Sequence, residues 1–478
     1  MRVEFNRMKK KHKIALGVTV SVVVALSITA GIFYFTQPTW FTRTIVNSQI
    51  ESAPGYPEID DGLHALLVGT GSPINDPSRA GPSVLVIAGE KHFVVDTGPG
   101  STASLVTSGI SPAEVDAVFL THYHSDHIGD LGELMLQRWA LGGSNESLPV
   151  YGPVNVTSIV DGFNDAYYLD SIYRNEHHGE ENMPINGSGG VAMEFDIGNG
   201  TMASQVIYDQ DNVEVTMFNV DHFPVYPAVG FKFEYKGRSL VISGDTVYSE
   251  NLETQSTNVD LLIGEALNPE LVAIMEESDD LGDENAGVVL HDIPDYHITP
   301  WEMATLAENA NVEYLVYYHM IPPVPNSGVA KKVFLGNSSV IYSGDIDIGM
   351  DGFFISMPAH SEKIITTNLL ERSAARPALV LIVNLVILGL MFGAGRLITK
   401  KRELKVKPII MVYSILMGFL ILTRIGSFVT TGFAASTLIY ALVEATMLVW
   451  SVFYLNQNIK SRDKTNLKSK NKQSVVAA

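Results

Sequence analysis

Three histidines and an aspartate stand close together as His122-Tyr-His124-Ser-Asp126-His127, directly after the apolar run VDAVFL. In an extended segment, residues two apart point the same way, so His122 and His124 can grip one ion together. Asp126 and His127, a little further on, can face a neighbouring ion. Imidazole and carboxylate donors suit zinc, and also manganese or iron. The chain has no cysteine, so disulfides and thiolate ligands are excluded, and any such centre must be built from His, Asp and Glu. A surface histidine cluster is the plain alternative, and the buried strand leading into the motif argues against it.

Hydrophobic patterning supplies the elements that must position these residues. A strand-like run opens at His64 (HALLVGTGSP), SVLVIAG follows, and KHFVVDTGPG carries Asp96. VDAVFL reads as a buried strand, the His-rich segment as a loop, and a helical pattern starts near Leu131. Later, VEVTMFNVDH leads to His222, and AVGFKFEYKGRSLVISGDT reads as a hairpin ending near Asp245. DLLIGEAL contains Glu265, and HITPWEMATLAENANVEYLVYYH reads as a helix, with His297 at its start, leading into a strand that ends at His319. Strands first pair as hairpins and then alternate with helices, which predicts an α/β class with mixed sheets. His122, Asp245 and His319 each stand where a strand run stops, and His222 follows one, so they can converge on one cleft.

Residues 150–200 are rich in Tyr, Asn, Gly and charge, with weak periodicity, and read as a lid of short helix and loop beside the cleft. Within it His177 and His178, with Tyr168, Asp170 and Arg174, either reach over the cleft or are ordinary surface residues. Arg174 and His178 are the candidates for substrate contact, Arg174 because a guanidinium suits a sulfate or phosphate. The run EESDDLGDEN (276–285) reads as a solvated acidic loop.

The predicted organisation places one soluble domain, 61–360, between apolar ends. A basic head (1–13) precedes an apolar segment at 14–36, long enough to cross ~30 Å of hydrocarbon, and a linker spans 37–60. That segment runs on past Ala30 to an aromatic edge at Trp40, which favours an uncleaved anchor over a cleaved signal. Further spans are expected at 377–397, 408–428 and 433–455, followed by a basic tail (456–478). Lysines and arginines in the head, in the 400–407 loop and in the tail belong on the cytoplasmic side. The domain then lies outside a cytoplasmic (inner) membrane crossed several times. Arg424 either snorkels to the interface or makes a functional contact. Between Trp40 and Leu370 about 47 acidic residues face about 11 basic ones, which argues against bulk nucleic-acid binding. The expected partner is a small anionic ester.

The motif THYHSDHIGDL resembles the HxHxDH signature of the metallo-β-lactamase superfamily, and the likeness extends over about residues 62–345. Within it the chain looks similar to the ribonuclease Z branch and to the metal-dependent arylsulfatases. The latter likeness rests on NDPSRAGP, VVDTGPG, AYYLDSIYR and LVISGDTVYSENL. The resemblance implies an αββα sandwich of two mixed sheets flanked by helices. It implies two divalent ions, zinc before manganese or iron, one on His122, His124 and His222 and the other on Asp126, His127 and His319, with Asp245 bridging. It links Glu265 and His297 to protonation of the leaving group, makes Asp96 an orienting acid, and makes a homodimer the expected assembly.

A water shared by two such ions would ionise near neutrality and attack an ester, with Asp126 or Asp245 orienting it. His297, aligned by Glu265, would protonate the departing oxygen. Alternatively His297 only caps a helix and Glu265 sits in a buried ion pair. The leading expectation is a membrane-anchored hydrolase of sulfate or phosphate esters, arylsulfatase-like. A ribonuclease Z-like phosphodiesterase is the second reading, and a membrane sensor binding a metal or ligand is a rival of another class. Retention of every metal and proton-donor position argues against a pure sensor.

Overall fold

Short runs dense in Val, Ile, Leu and Phe, punctuated by Gly, Pro and Asp, favour strands wherever both faces are to be buried. The computed structural model describes residues 59–74, 76–277 and 284–370. In chain order the strands are β1 (Gly62–Gly69), β2 (Ser83–Ala88), β3 (Lys91–Val95), β4 (Ala117–Phe119) and β5 (Leu148–Pro153). Then come β6 (Gly190–Phe195), β7 (Ser204–Gln210), β8 (Val213–Asn219), β9 (Val229–Tyr235) and β10 (Arg238–Ile242). The last are β11 (Leu261–Leu267), β12 (Tyr314–Ile321), β13 (Asp345–Ile348), β14 (Phe353–Pro358) and β15 (Ile365–Asn368).

They form two sheets, ordered β15-β14-β1-β2-β3-β4-β5-β6 and β13-β12-β11-β10-β9-β8-β7. In each sheet, hairpin-linked antiparallel strands give way to parallel ones: β1 to β3 and then β4 to β6, β7 to β10 and then β11 to β13. This is the mixed-sheet α/β class that the hairpin-then-helix pattern predicts.

Alternation along each strand sorts side chains into layers. On β1, Leu63, Ala65 and Leu67 enter the core between the sheets, where they join Phe93, Phe119, Phe231, Phe233, Ile263 and Val316. Leu66 and Val68 point the other way, to the core shared with Leu131, Leu134 and Val156 of the flanking helices. Beyond the second sheet, Leu262, Leu315 and Tyr317 pack on Met303, Leu306 and Phe334. Helices thus cover the outer face of both sheets.

Where the sequence reads as short helix and loop, the chain forms one 23-residue helix, Val156–His178, and then β6. Its periodicity is weak because it buries only Val156, Val160 and Ser171. The ordered fold also runs past position 360, through β15, which pairs with β14.

The basic head 1–13, the spans at 14–36, 377–397, 408–428 and 433–455, Arg424, the tail, nearly all of the 37–60 linker and most of the 276–285 acidic loop lie outside the described residues. Among the described residues, no helix is long and apolar enough to cross a membrane.

Candidate metal centre

The four chain segments that carry the histidine and aspartate candidates all emerge at the same end of the sheets. After β4, Leu120 and Thr121 lead to His122, and Ser125–Ile128 then forms a single helical turn whose first carbonyl belongs to His124. His222 follows β8, and Asp245 follows β10 across Ser243 and Gly244. Gly244 has φ 62°, and a Cβ there would lie 2.6 Å from the Val229 carbonyl oxygen. The residue before Asp245 therefore cannot carry a side chain without a shift of backbone. Val229 in turn donates from its N–H to the Thr121 carbonyl at 3.0 Å, tying the two sheets together beneath the site.

His319 arrives differently. The strand expected to end there runs on to Ile321. Glu265 pairs with Tyr318 and Ala266 pairs with Met320, so His319 is the extra residue of a β-bulge, with φ 42°. A bulge turns one side chain out of the regular alternation, and here it aims the imidazole at Asp126 and Asp245. The Nε2 atom of His319 lies 3.3 Å from an oxygen of each.

Two groups of donors result. Ligand-type atoms of His122, His124, His222 and Asp245 lie within 4.8 Å of one another, as do those of Asp126, His127 and His319. His122 Nε2 and His124 Nδ1 face each other at 3.0 Å. Asp245 Oδ2 is 3.7 Å from His122 Nε2, 3.3 Å from His127 Nε2 and 3.9 Å from His222 Nε2, so it touches both groups.

Most rings are oriented through their other nitrogen, as ligand histidines usually are. His127 Nδ1 lies 2.8 Å from Asp96 Oδ2, His222 Nδ1 lies 2.8 Å from the Tyr296 carbonyl, and His122 Nδ1 lies 3.0 Å from Thr121 Oγ1. Asp96 itself accepts from the Thr121 N–H and hydroxyl, at 2.8 Å each. His127 Nε2, His222 Nε2 and Asp245 Oδ1 are buried and find no hydrogen-bond partner among the described residues. Buried polar atoms need partners, and three orphans turned into one nitrogen-and-oxygen pocket fit divalent cations.

Electrostatics divides the groups. Burial lowers His122 well below the ordinary histidine value, holds His222 down to about 4, and lowers His124 too. These three rings are neutral and ready to ligate. Burial also pushes His127 and His319 downward, but Asp245 and Asp126 outweigh it and raise both. Burial pushes the Asp126 and Asp245 carboxyls upward, and His127 and His319 reverse this and hold both low.

A third group, Asp245, His297 and His319, adjoins the first two. His297 Nδ1 lies 2.8 Å from Glu265 Oε1, which also accepts from the Thr246 N–H at 2.9 Å. Glu265 is fully buried, and burial raises its carboxyl despite His297. His297 does not cap the following helix, a task performed by Thr299 in a capping box with Glu302.

Arg174 and His178 are not brought to this centre. The helix that carries them starts beside the metal loop, where the Tyr123 hydroxyl donates to the Pro153 carbonyl. It then runs away from that end, since Asn164 already bonds Gly190, which pairs with the first residue of β5. Beyond that point Arg174 pairs with Asp170 at 2.6 Å on its own helix, and Asn175 reaches the Met183 carbonyl. Arg79 of NDPSRAGP is a clamp within the fold: it donates to the Thr70 hydroxyl and to the carbonyls of Gly349 and Val324. Thr121 and Thr246 escaped the sequence reading although each adjoins a candidate. The Tyr296 carbonyl that orients His222 has no side-chain signature at all.

Residues 77–383 match the family described as the metallo-beta-lactamase superfamily. The chain belongs to the metallo-β-lactamase superfamily. Among curated relatives of this superfamily member, ribonuclease Z of Mycolicibacterium paratuberculosis is 35% identical over 262 residues, 54% of this chain and 86% of that protein. Ribonuclease Z of Mycobacterium bovis is 32% identical over 291 residues, 60% of this chain and 96% of that protein. Human tRNase Z, short form, aligns with TM-score 0.44 and 21% identity over 62% of this chain and 99% of that structure. The chain is thus a metallo-β-lactamase-fold hydrolase of ester bonds with ribonuclease Z homologues.

These relatives correct one expectation. The acidic balance argues against bulk nucleic-acid binding and for a small anionic ester, yet the relatives are named as ribonucleases. Net charge summed over a domain does not describe a site where cations can meet the phosphate directly. The finer likeness to arylsulfatases gains no support from them.

Proposed function

We propose that this superfamily member is a metal-dependent phosphodiesterase that cleaves RNA. The observation that carries the reading is the buried Glu265–His297 pair beside the seven ligand-type residues. Cleaving a sugar–phosphate bond expels a poor leaving group, an alkoxide, which needs a proton as it departs. With Nδ1 held by Glu265, His297 keeps Nε2 for that donation.

His122, His124 and His222 would hold one ion and Asp126, His127 and His319 the other, with Asp245 shared; zinc suits the set best, with manganese or iron next. When bound, two such ions neutralise charge on the phosphate and acidify a water. Asp126 keeps 12% of its side chain exposed, where the other carboxylate of the cluster, Asp245, is buried. It is therefore the carboxylate placed to take a proton from the attacking water. Glu265 keeps His297 in one orientation, and Asp96 does the same for His127.

The test uses the full-length chain, stripped by chelator and reloaded with zinc or manganese, on an RNA oligonucleotide and on an aryl sulfate. RNA cleavage that returns with metal is expected. His297→Ala should lower the rate by ~10²–10⁴-fold, and by much less on a phosphodiester with an aryl leaving group. Turnover of the sulfate alone, or equal losses on both diesters, would refute the reading.

The location remains a proposal from the sequence: apolar spans anchor the chain in a membrane, and the basic flanks set the domain on the extracytoplasmic side.

A further inference from the structure

Directly after His222 the chain reads FPVYP, and two large rings on it face solvent: Phe223 is 80% exposed and Tyr226 63%. Phe93, Phe119, Phe218, Phe231, Phe233 and Phe334, by contrast, are fully buried. Tyr168 and Tyr173 are also 61% exposed, but they lie on the helix Val156–His178, whereas Phe223 and Tyr226 share one short loop next to a ligand-type histidine. We infer that Phe223 and Tyr226 form a platform on which bases of a single-stranded RNA stack while its scissile phosphate lies at the histidine–aspartate cluster. This rests on the phosphodiesterase reading above.

The placement is direct. His222 Nε2 points into the cluster, so the Phe223 ring hangs from the next residue along the chain. The loop is anchored on both sides: the Val225 N–H donates to the His222 carbonyl at 2.8 Å, and the Phe223 N–H donates to Asp221 Oδ1 at 3.2 Å. The Asp221 carbonyl accepts from the Val247 N–H at 2.8 Å. Pro224 and Pro227 fix the backbone φ after each ring. Tyr296, partly exposed, continues the aromatic rim, its ring centroid 5.2 Å from that of His222 and 4.9 Å from that of His297.

Charge favours stacking over phosphate tracking as the source of affinity. Proteins that hold single strands combine a basic groove with aromatic platforms. Among the described residues, five cations are paired with carboxylates within the fold, Lys91 with Asp116 and Asp211, Arg174 with Asp170, Lys232 with Glu234, Lys236 with Asp61 and Arg238 with Asp260, and Arg79 and Arg138 donate to backbone carbonyls. Every base has an apolar face, so rings can grip a strand that an acidic surface does not attract.

The experiment compares the metal-loaded full-length chain with Phe223→Ala, Tyr226→Ala and Phe223→Trp. Substrates are an oligoribonucleotide and a small phosphodiester that carries no base, and oligonucleotide binding is followed against salt. The platform predicts that each alanine variant loses roughly tenfold or more in kcat/KM on the oligonucleotide relative to its loss on the baseless diester. Most of that change should lie in KM. Phe223→Trp should restore it, and the salt dependence of binding should be shallow. Parallel losses on the two substrates, failure of tryptophan to rescue, or a steep salt dependence would overturn the inference while leaving the phosphodiesterase intact. Metal-dependent turnover of neither substrate would sink the phosphodiesterase reading, and the platform with it.

Discussion

Each oriented ring of the cluster has one nitrogen tied inside the fold and the other turned inward, which makes its tautomer a property of its neighbours. Asp96 fixes His127 in this way. Asp96→Asn should weaken the ion on Asp126, His127 and His319 by ~10–100-fold, read by metal titration, with a smaller loss at the other ion, whose His122 is reached only through Thr121. The protons differ between the groups as well. His127 and His319 are raised by the carboxylates beside them, so each keeps its proton to higher pH than an ordinary histidine, and a cation must displace it. His122, His124 and His222 are lowered and hold none. Metal binding releases protons held by its ligands, so affinity for the ion at Asp126, His127 and His319 should climb as pH rises through neutrality. Affinity at the three-histidine group should stay flatter until acid protonates it. Calorimetry in buffers of different ionisation enthalpy checks this, and equal pH slopes at the two sites would count against it. The spacing of His122, His124, Asp126 and His127 made these residues legible in the sequence. The role of the Tyr296 carbonyl was not, because a backbone oxygen leaves no residue-type signal.

Among the elements, loops at the sheet ends matter more than the strands. The turn after β3 lies against the metal loop: the Thr97 N–H donates to the His127 carbonyl at 2.7 Å, and the Asp130 N–H to the Thr97 carbonyl at 2.8 Å. A Cβ on Gly98 would lie 2.4 Å from the Asp126 carbonyl oxygen and 2.3 Å from the Gly81 carbonyl carbon. Backbone on both sides cannot yield cheaply, so Gly98→Ala should cost ~1–3 kcal/mol in chemical denaturation and weaken metal retention. The mixed-sheet class and the strand-end positions of His122, His222 and Asp245 followed from apolar runs that stop where chemistry begins. The bulge at His319 could not be read, since an extra residue in a strand keeps the same apolar pattern. The helix Val156–His178 was missed for a related reason, its largely exposed surface blurring the periodicity. Arg174, far along that helix and bound to Asp170, should be dispensable: Arg174→Ala is expected to keep turnover within about twofold and to cost only the ~0.3–0.5 kcal/mol of an exposed helical pair.

At the scale of the whole chain, the acidic surplus excludes less than it first implied, because substrate contact is local while net charge is global. The sequence reading of four apolar spans leaves a topology that can be tested cleanly. The native chain has no cysteine, so one cysteine introduced at an exposed site such as Val340 (87% exposed) reports its own side of the membrane. Labelling of intact cells by an impermeant thiol reagent is expected, and labelling only after lysis would place the domain inside. The central claim is that seven side chains hold two ions for phosphodiester cleavage. Its most direct test is metal content and RNA cleavage measured on the same full-length preparation, native and Asp245→Ala. Two divalent ions per native chain, with both metal content and cleavage lost or sharply reduced in the variant, is the predicted result. Undiminished cleavage by Asp245→Ala, or a native chain that cleaves RNA without metal, would contradict it.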